Sequence, residues 1–316
     1  MIKIISCHSI FNENAVILSK KFGWDLEQDF NPQSGDIYLV FGSHEMSHQL
    51  LELQLRKNAS FGYIIMNSEQ IESQFFKNKY YIELMKRNIV FDFNTMSAEY
   101  LKKTHKIKVL SYFFFEFMKY QVEDDNREYD VAFIGSKNED RIKLMDTLKA
   151  EFPELKFYVD LEWSHKSSES LTKVLHNSKV VLNIGNYKAN RSLETHRINK
   201  ALACGCDVIT MYSDDEDAND FYKDYCYVTG DLKAMIRKYF NYEFEKKKPY
   251  EDLVKELSQK FSPHIHFVVK NIEEKLKSIH TNNEPKNEVI PKSTTTDSDD
   301  IPSNEKTEDQ VGEQVS

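Results

Sequence analysis

Cysteine is scarce in this sequence. Four occur in 316 residues (Cys7, Cys204, Cys206, Cys226), with no Cys-x-x-Cys pair and no histidine partner at metal-ligand spacing. This excludes a disulfide scaffold and argues against a zinc or redox motif, and it fits a reducing compartment. Long apolar runs are also missing: nothing approaches the ~18 residues of a membrane helix, and Met1-Ile-Lys-Ile-Ile5 is too short for a signal sequence. A soluble, cytoplasmic protein without a transmembrane segment is expected. There is no basic excess, since the net charge is -9 and the pI about 5.7; that argues against a nucleic-acid partner. From Thr281 onward stand nine acidic residues and three lysines, so -6 belongs to the tail and the remainder is close to neutral. No repeat of solenoid period occurs. No Gly-x-Gly-x-x-Gly follows a strand, which counts against a nicotinamide-dependent oxidoreductase.

Two runs of alternating strand and helix signals are present. In the first, strands are predicted over 2–6, 36–41, 61–66, 88–93 and 108–114, with helices over 12–22, 45–57, 80–87 and 97–103 between them. Residues 119–128 are polar and without period, and read as a linker. In the second, strands are predicted over 129–134, 156–161, 180–184, 207–211 and 225–228. Helices are marked by Ile142, Met145, Leu148 and Phe152, by residues 168–177, by 193–204 closed at Gly205, and by the stripe from Leu232 to Phe240. Alternation of this kind implies parallel sheets covered on both faces. After Pro249 two helices are expected, broken apart at Pro263. From Thr281 the chain has no aromatic residue and cannot bury enough apolar area to order itself. The expected organisation is a Rossmann-like unit over 1–118, the linker 119–128, a second Rossmann-like unit over 129–240, helices over 241–280 and a disordered acidic tail over 281–316.

Candidate site residues lie where strands give way to helices, at the carboxyl edges of the sheets. Gly135, Ser136 and Lys137 follow the first strand of the second half, with Arg141 one helical turn on; a glycine turn and a helix start favour an anion, and the two cations suit a diphosphate. The polar run from Asn186 holds Tyr187, Lys188, Asn190, Arg191, Glu194, His196 and Arg197, with Ser192 as the expected N-cap. Glu194 and Arg197, three apart, are expected to share one helix face, as a surface ion pair or as a fork reaching a ligand. In the first half, His8, the Gly42-Ser-His44-Glu45 loop and the Asn67-Ser-Glu69-Gln70 loop follow successive strands and would face the same cleft. Trp163 and His165 are weaker lining candidates. The aspartate pairs beginning at Asp124, Asp214 and Asp299 read as solvated charge, and no metal site is expected.

The segments Tyr129-Asp-Val-Ala-Phe-Ile-Gly-Ser136, Val180-Val-Leu-Asn-Ile184 and Leu193-Glu-Thr-His-Arg-Ile198 before Ala201-Leu-Ala-Cys-Gly205 resemble group 1-type glycosyltransferases of the GT-B fold. Asn67-Ser-Glu-Gln70, Tyr81-Ile-Glu-Leu84 and Phe91-Asp92 resemble their first half. The resemblance covers roughly residues 1–240 and implies an α/β fold of two Rossmann-like parallel-sheet domains facing a cleft, with C-terminal helices returning toward the first half. It implies transfer of a sugar from a nucleotide-sugar co-substrate, held by the second half, to a glycan, protein or small-molecule acceptor on the first, usually without metal or other cofactor. On this reading Gly135, Ser136, Lys137, Arg141, Tyr187, Asn190, Glu194 and Arg197 hold the donor, and His8 or Glu69 is the base. The family pattern places two acidic residues, separated by seven others, where this chain has Ser192 and Lys200, with Glu194 a substitute for one. Lys200 motivates the alternative of a GT-B-like nucleotide- or sugar-binding module without catalysis.

Overall fold

A computed structural model describes residues 1–28, 30–56, 60–111, 115–120, 126–162, 168–186 and 192–283. The first half alternates β1 (Ile2–Ser6), α1 (Asn12–Phe22), β2 (Asp25–Leu26), β3 (Ile37–Phe41), α2 (Ser47–Arg56), β4 (Gly62–Asn67), α3 (Lys79–Arg87), β5 (Ile89–Asp92), α4 (Thr95–His105) and β6 (Val109–Ser111). The second continues with β7 (Tyr129–Ile134), α5 (Glu139–Glu151), β8 (Phe157–Asp160), α6 (Ser168–His176), β9 (Ser178–Asn183), α7 (Thr195–Ala203), β10 (Asp207–Met211), α8 (Glu216–Tyr222), β11 (Tyr227–Thr229) and α9 (Leu232–Phe240). α10 (Tyr250–Asn283) follows. Two sheets result, of order β2-β1-β3-β4-β5-β6 and β11-β10-β9-β7-β8. Every ladder is parallel.

Parallel pairing explains the sequence character of the central strands. All five residues of β3, Ile-Tyr-Leu-Val-Phe, are buried, because helices cover both faces. Both sheets fall within one compact unit, Met1–Asn282. One apolar cluster joins them, running from Ile4, Leu39 and Phe91 in the first half through Phe115 and Phe117 to Ile134, Ile198 and Val208 in the second. Among the described residues no helix is long and apolar enough to cross a membrane.

Several elements differ from expectation for identifiable reasons. α10 runs unbroken through Pro263. Its stripe Leu253, Leu257, Phe261, Ile265, Val268 and Leu276 keeps helical spacing across the proline and is buried throughout, so packing outweighs the lost hydrogen bond. The helix lies on the first half, where Phe261 meets Phe22 and Phe91, and Lys21 donates to Ser258. α7 begins at Thr195 and not near Ser192: Leu193 is drawn into the core, and Ser192 is buried without capping anything. The two-residue β2 and the short α8 have too little apolar period to announce themselves. α8 lies in the run read as solvated charge, yet Asp215 is buried at its start and caps it through Ala218 N–H. Asp124, Asp299 and residues 284–316 lie outside the described residues.

Candidate active site

The carboxyl ends of the two sheets enclose a cavity of about 430 Å³, lined from one side by His8, His44, Glu45, Glu69 and Gln70 and from the other by Ser136, Arg141, Glu194, His196 and Arg197. Its size is that of a small-molecule site.

The second-half wall is built on two guanidinium groups. Asn138 caps α5 by accepting from Arg141 N–H, and the Arg141 side chain turns inward, only 2% exposed. It donates through Nη1 to Ser136 O at 2.8 Å and Asn186 Oδ1 at 3.1 Å, and through Nη2 to Ile184 O at 2.6 Å. Arg197, in the first turn of α7, donates to Asn183 Oδ1 at 2.9 Å and Ile184 O at 3.3 Å. Both groups lie over the Phe133 ring, at 5.2 and 5.6 Å from its centroid. They close on Gly135, where a Cβ would stand 3.2 Å from Arg141 Nη1 and 3.2 Å from Arg197 Nη2; the missing side chain makes room for both cations. Burial lowers the proton affinity of Arg197, and Glu194 opposes that shift. Among the described residues Arg197 forms no ion pair, so its charge is held by neutral oxygens and faces the cavity beside the α7 N-terminus.

Two expectations for this wall are corrected. Lys137 is a surface residue, paired with Glu162 at 3.1 Å and outside the cavity lining, because the residues after Gly135 run outward to the α5 cap. Glu194 does not share a helix face with Arg197. It occupies the α7 N-cap position without capping, and its Oε1 accepts from Gln70 Nε2 at 3.0 Å, across the cleft. Tyr187, Lys188, Asn190, Arg191, Trp163 and His165 lie outside the described residues.

The first-half wall carries imidazoles and carboxylates. Gly42 adopts φ 66°, and a Cβ there would fall 2.8 Å from His8 Cβ, so glycine is what lets the His44 loop close against His8. His8 Nδ1 accepts from Ile10 N–H at 3.2 Å, capping the turn Ser9–Phe11. His44 is buried against Phe75, ring centroids 4.5 Å apart, and its Nε2 stands 3.5 Å from Glu69 Oε1 and 3.6 Å from Glu45 Oε1. Burial pushes its pKa down to about 4, so the ring stays neutral near pH 7. Burial raises the Glu69 carboxyl; the bond from Ser73 Oγ to Oε2, 2.6 Å, works against this, and the Glu194 and Glu45 charges add to it.

Behind Glu69 lies a polar network that periodicity does not reveal. Asn67 holds the Glu69 backbone from both ends, accepting from its N–H at 3.2 Å and donating to its carbonyl at 3.0 Å. Asn67 also donates to Asp92 Oδ2 at 2.7 Å and accepts from Tyr81 OH at 2.5 Å. Asp92, fully buried at the end of β5, accepts Asn94 N–H at 2.9 Å, and burial raises its pKa to about 8. Next along the chain, Thr95 donates its N–H and hydroxyl to the two carboxylate oxygens of Asp215, at 2.9 and 2.6 Å, tying the halves together. The signal for Asp92 was its place at a strand's carboxyl end; for Asp215 there was none.

Lys200 has a structural explanation. Its ammonium is buried and lies 2.5 Å from Glu13 Oε2 of α1, with the Phe117 and Tyr120 rings 5.1 and 4.7 Å away. The other Glu13 oxygen accepts Met118 N–H at 3.0 Å. His196, one turn earlier, meets Phe11, Phe115 and Phe117 edge-on, and burial with Lys200 and Arg197 nearby pushes it down to about 3.

The chain is similar in structure to HepE of Anabaena in complex with UDP-glucose, at 10% identity, covering 89% of this chain and 100% of that one with a TM-score of 0.48. The complex of HepE with UDP gives 9% identity, 89% and 99% coverage and 0.47. AviGT4, a glycosyltransferase involved in avilamycin A biosynthesis, gives 8% identity, 89% and 98% coverage and 0.36. No protein-family model and no curated protein matches the chain.

Proposed function

We propose that the protein is a glycosyltransferase that moves a sugar from a nucleotide-sugar to an acceptor hydroxyl within this cavity. The observation that carries the reading is the meeting of two buried guanidinium groups, Arg141 and Arg197, with a carboxylate of raised proton affinity, Glu69, on opposite walls of one cavity. As the bond between the anomeric carbon and the diphosphate oxygen breaks, its electron pair leaves with the nucleoside diphosphate. Fixed cations and the N–H groups of the α7 start stabilise that developing charge. The acceptor oxygen forms the new bond to the anomeric carbon, and its proton passes to Glu69, whose proton affinity burial raises. His8 is reassigned: Ile10 N–H occupies its Nδ1 lone pair, so in the neutral ring the hydrogen sits on Nε2, which offers a donor to the cavity.

The two guanidiniums supply the positive charge a metal would otherwise bring, and the reading needs no cofactor beyond the nucleotide-sugar. We place the protein in the cytoplasm on its free thiols, three of them buried. The non-catalytic alternative loses its motive, since Lys200 is half of a buried ion pair that joins the halves. Incubation with a panel of nucleotide-sugars in a chelator tests the reading: slow donor hydrolysis is expected. If uridine, guanosine and adenosine diphosphates all leave the melting temperature in place and no donor is hydrolysed, the proposal fails.

A further inference from the structure

The two ends of the cavity carry opposite charge, and that division bears on the acceptor. All the guanidinium groups among the described lining residues come from the second half. The first-half lining has two carboxylates, Glu45 and Glu69, and no lysine or arginine. Glu45 Oε1 and Glu69 Oε1 both converge on one imidazole nitrogen, His44 Nε2, at 3.6 and 3.5 Å. That nitrogen, set between two carboxylates, carries the ring proton, while Nδ1 is buried away from the cavity. The imidazole is neutral and does not cancel the two charges. Glu194 adds a third carboxylate from the facing wall.

Such a wall selects by hydrogen-bond type as well as by charge. Ionised carboxylates only accept, so they need donors from the ligand. A sugar hydroxyl brings a donor and no charge, whereas a phosphate or carboxylate group brings acceptors and like charge. The aromatic faces of Phe11, Phe75, Phe93 and Phe115, which also line the cavity, complete a surface suited to a ring with apolar and hydroxylated sides. A base at Glu69 points the same way, because a hydroxyl nucleophile has a proton to lose and an ionised phosphate has none.

Resting on the transfer reading above, we propose that the first-half end of the cavity takes an uncharged, hydroxyl-bearing ring, a sugar without anionic groups, and rejects acceptors that carry a phosphate or carboxylate. Glu45 is the specificity-determining residue: it is half-exposed at the rim, it is not the base, and its charge faces the incoming group.

The test uses the full chain, first saturated with whichever nucleoside diphosphate raises its melting temperature, so that the cationic end is filled. Methyl glucoside, methyl galactoside and methyl mannoside are then compared with the matching sugar 6-phosphates by saturation-transfer NMR and competition. At least one uncharged member should bind at least about tenfold more tightly than its phosphorylated counterpart, the order of discrimination that like charges at close range impose. Glu45→Gln should narrow that ratio several-fold, with the melting temperature unchanged. Equal or tighter binding of the phosphorylated members overturns the proposal. So does a ratio untouched by Glu45→Gln, or the failure of every uncharged probe to bind. If no nucleoside diphosphate binds, the transfer reading falls by itself, and the effect of Glu45→Gln on the same pairs still judges the wall.

Discussion

The two walls of the cavity use the same device, a sheet edge followed by helix starts, and hold opposite charges in different ways. In the second half Arg197 is carried by an amide and a backbone oxygen, so its charge remains available to a ligand. In the first half Glu69 is carried by a serine hydroxyl and by an asparagine that grips its backbone, which fixes the loop while leaving one carboxylate oxygen toward His44. The contrast teaches that neutral partners preserve a buried charge for use, whereas an opposite charge consumes it. Lys200 is the internal control. It lies in the same helix as Arg197 and also lines the cavity, but Glu13 neutralises it, and its charge joins the halves.

Breaking that control should produce the largest effect. Lys200→Met leaves the Glu13 carboxylate buried without its cation, and loss of one partner of a buried pair costs about 3–5 kcal/mol. Denaturant unfolding should show it, and adding Glu13→Leu should recover most of the loss. A single variant within about 1 kcal/mol of the parent would refute the buried pair.

Arg197→Ala should leave the fold intact and weaken nucleoside diphosphate binding. A charge-assisted hydrogen bond is worth about 1.5–3 kcal/mol, on the order of ten- to a hundredfold in affinity. Lys137→Ala, on the surface of the same half, should leave calorimetric titrations unchanged. Equal losses in both variants would erase the distinction between inward and outward cations.

The tie between the halves can be tested at Thr95. Thr95→Val removes the hydroxyl that Asp215 accepts at 2.6 Å. Leaving that buried carboxylate short of a donor should cost about 1–3 kcal/mol. Hydrogen exchange in the segment from Asn67 to Ser73 should quicken if the Asp92 network links the tie to the Glu69 loop; exchange confined to α4 would separate them.

The gentlest effect is a slope with pH. Asp92 is raised to about 8 from an ordinary value near 4, so the folded state holds a proton the unfolded chain has lost. Stability from Asp92 is therefore present at low pH and declines as pH rises toward 8. His44 and His196 are depressed to about 4 and about 3, so their contribution is present above about 6.5 and is lost as pH falls through the range below. Below about 6.5 the two imidazoles therefore work against Asp92, and each group contributes a slope of at most about 1.4 kcal/mol per pH unit. Asp92→Asn should flatten the alkaline limb in thermal melts and His196→Phe the acid limb; a limb that survives its variant has another source.

Much of this architecture was legible in the chain. Near-continuous apolar runs such as Ile37–Phe41 announce strands covered on both faces, and their alternation with amphipathic stretches announces parallel sheets. Polar clusters directly after strands located the cleft, because a parallel sheet sends all those turns to one edge. These are consequences of local period and composition. Which side chains turn inward was not local. Arg141 and Lys137 are four residues apart and read alike, yet the α5 cap at Asn138 sends one into the cavity and the other to the surface. Pro263 reads as a break, and only the packing of α10 on the first half overrides it. The contacts that assemble the site span 124 residues between Gln70 and Glu194, 120 between Thr95 and Asp215, and 187 between Glu13 and Lys200. The sequence by itself determined most of the elements, the parallel sense of the sheets and the edge that lines the cavity, since each follows from the period of apolar residues along a few turns. The tertiary structure alone decided which charges are neutralised and which remain available, because that depends on partners brought together only when the two halves close on a common core.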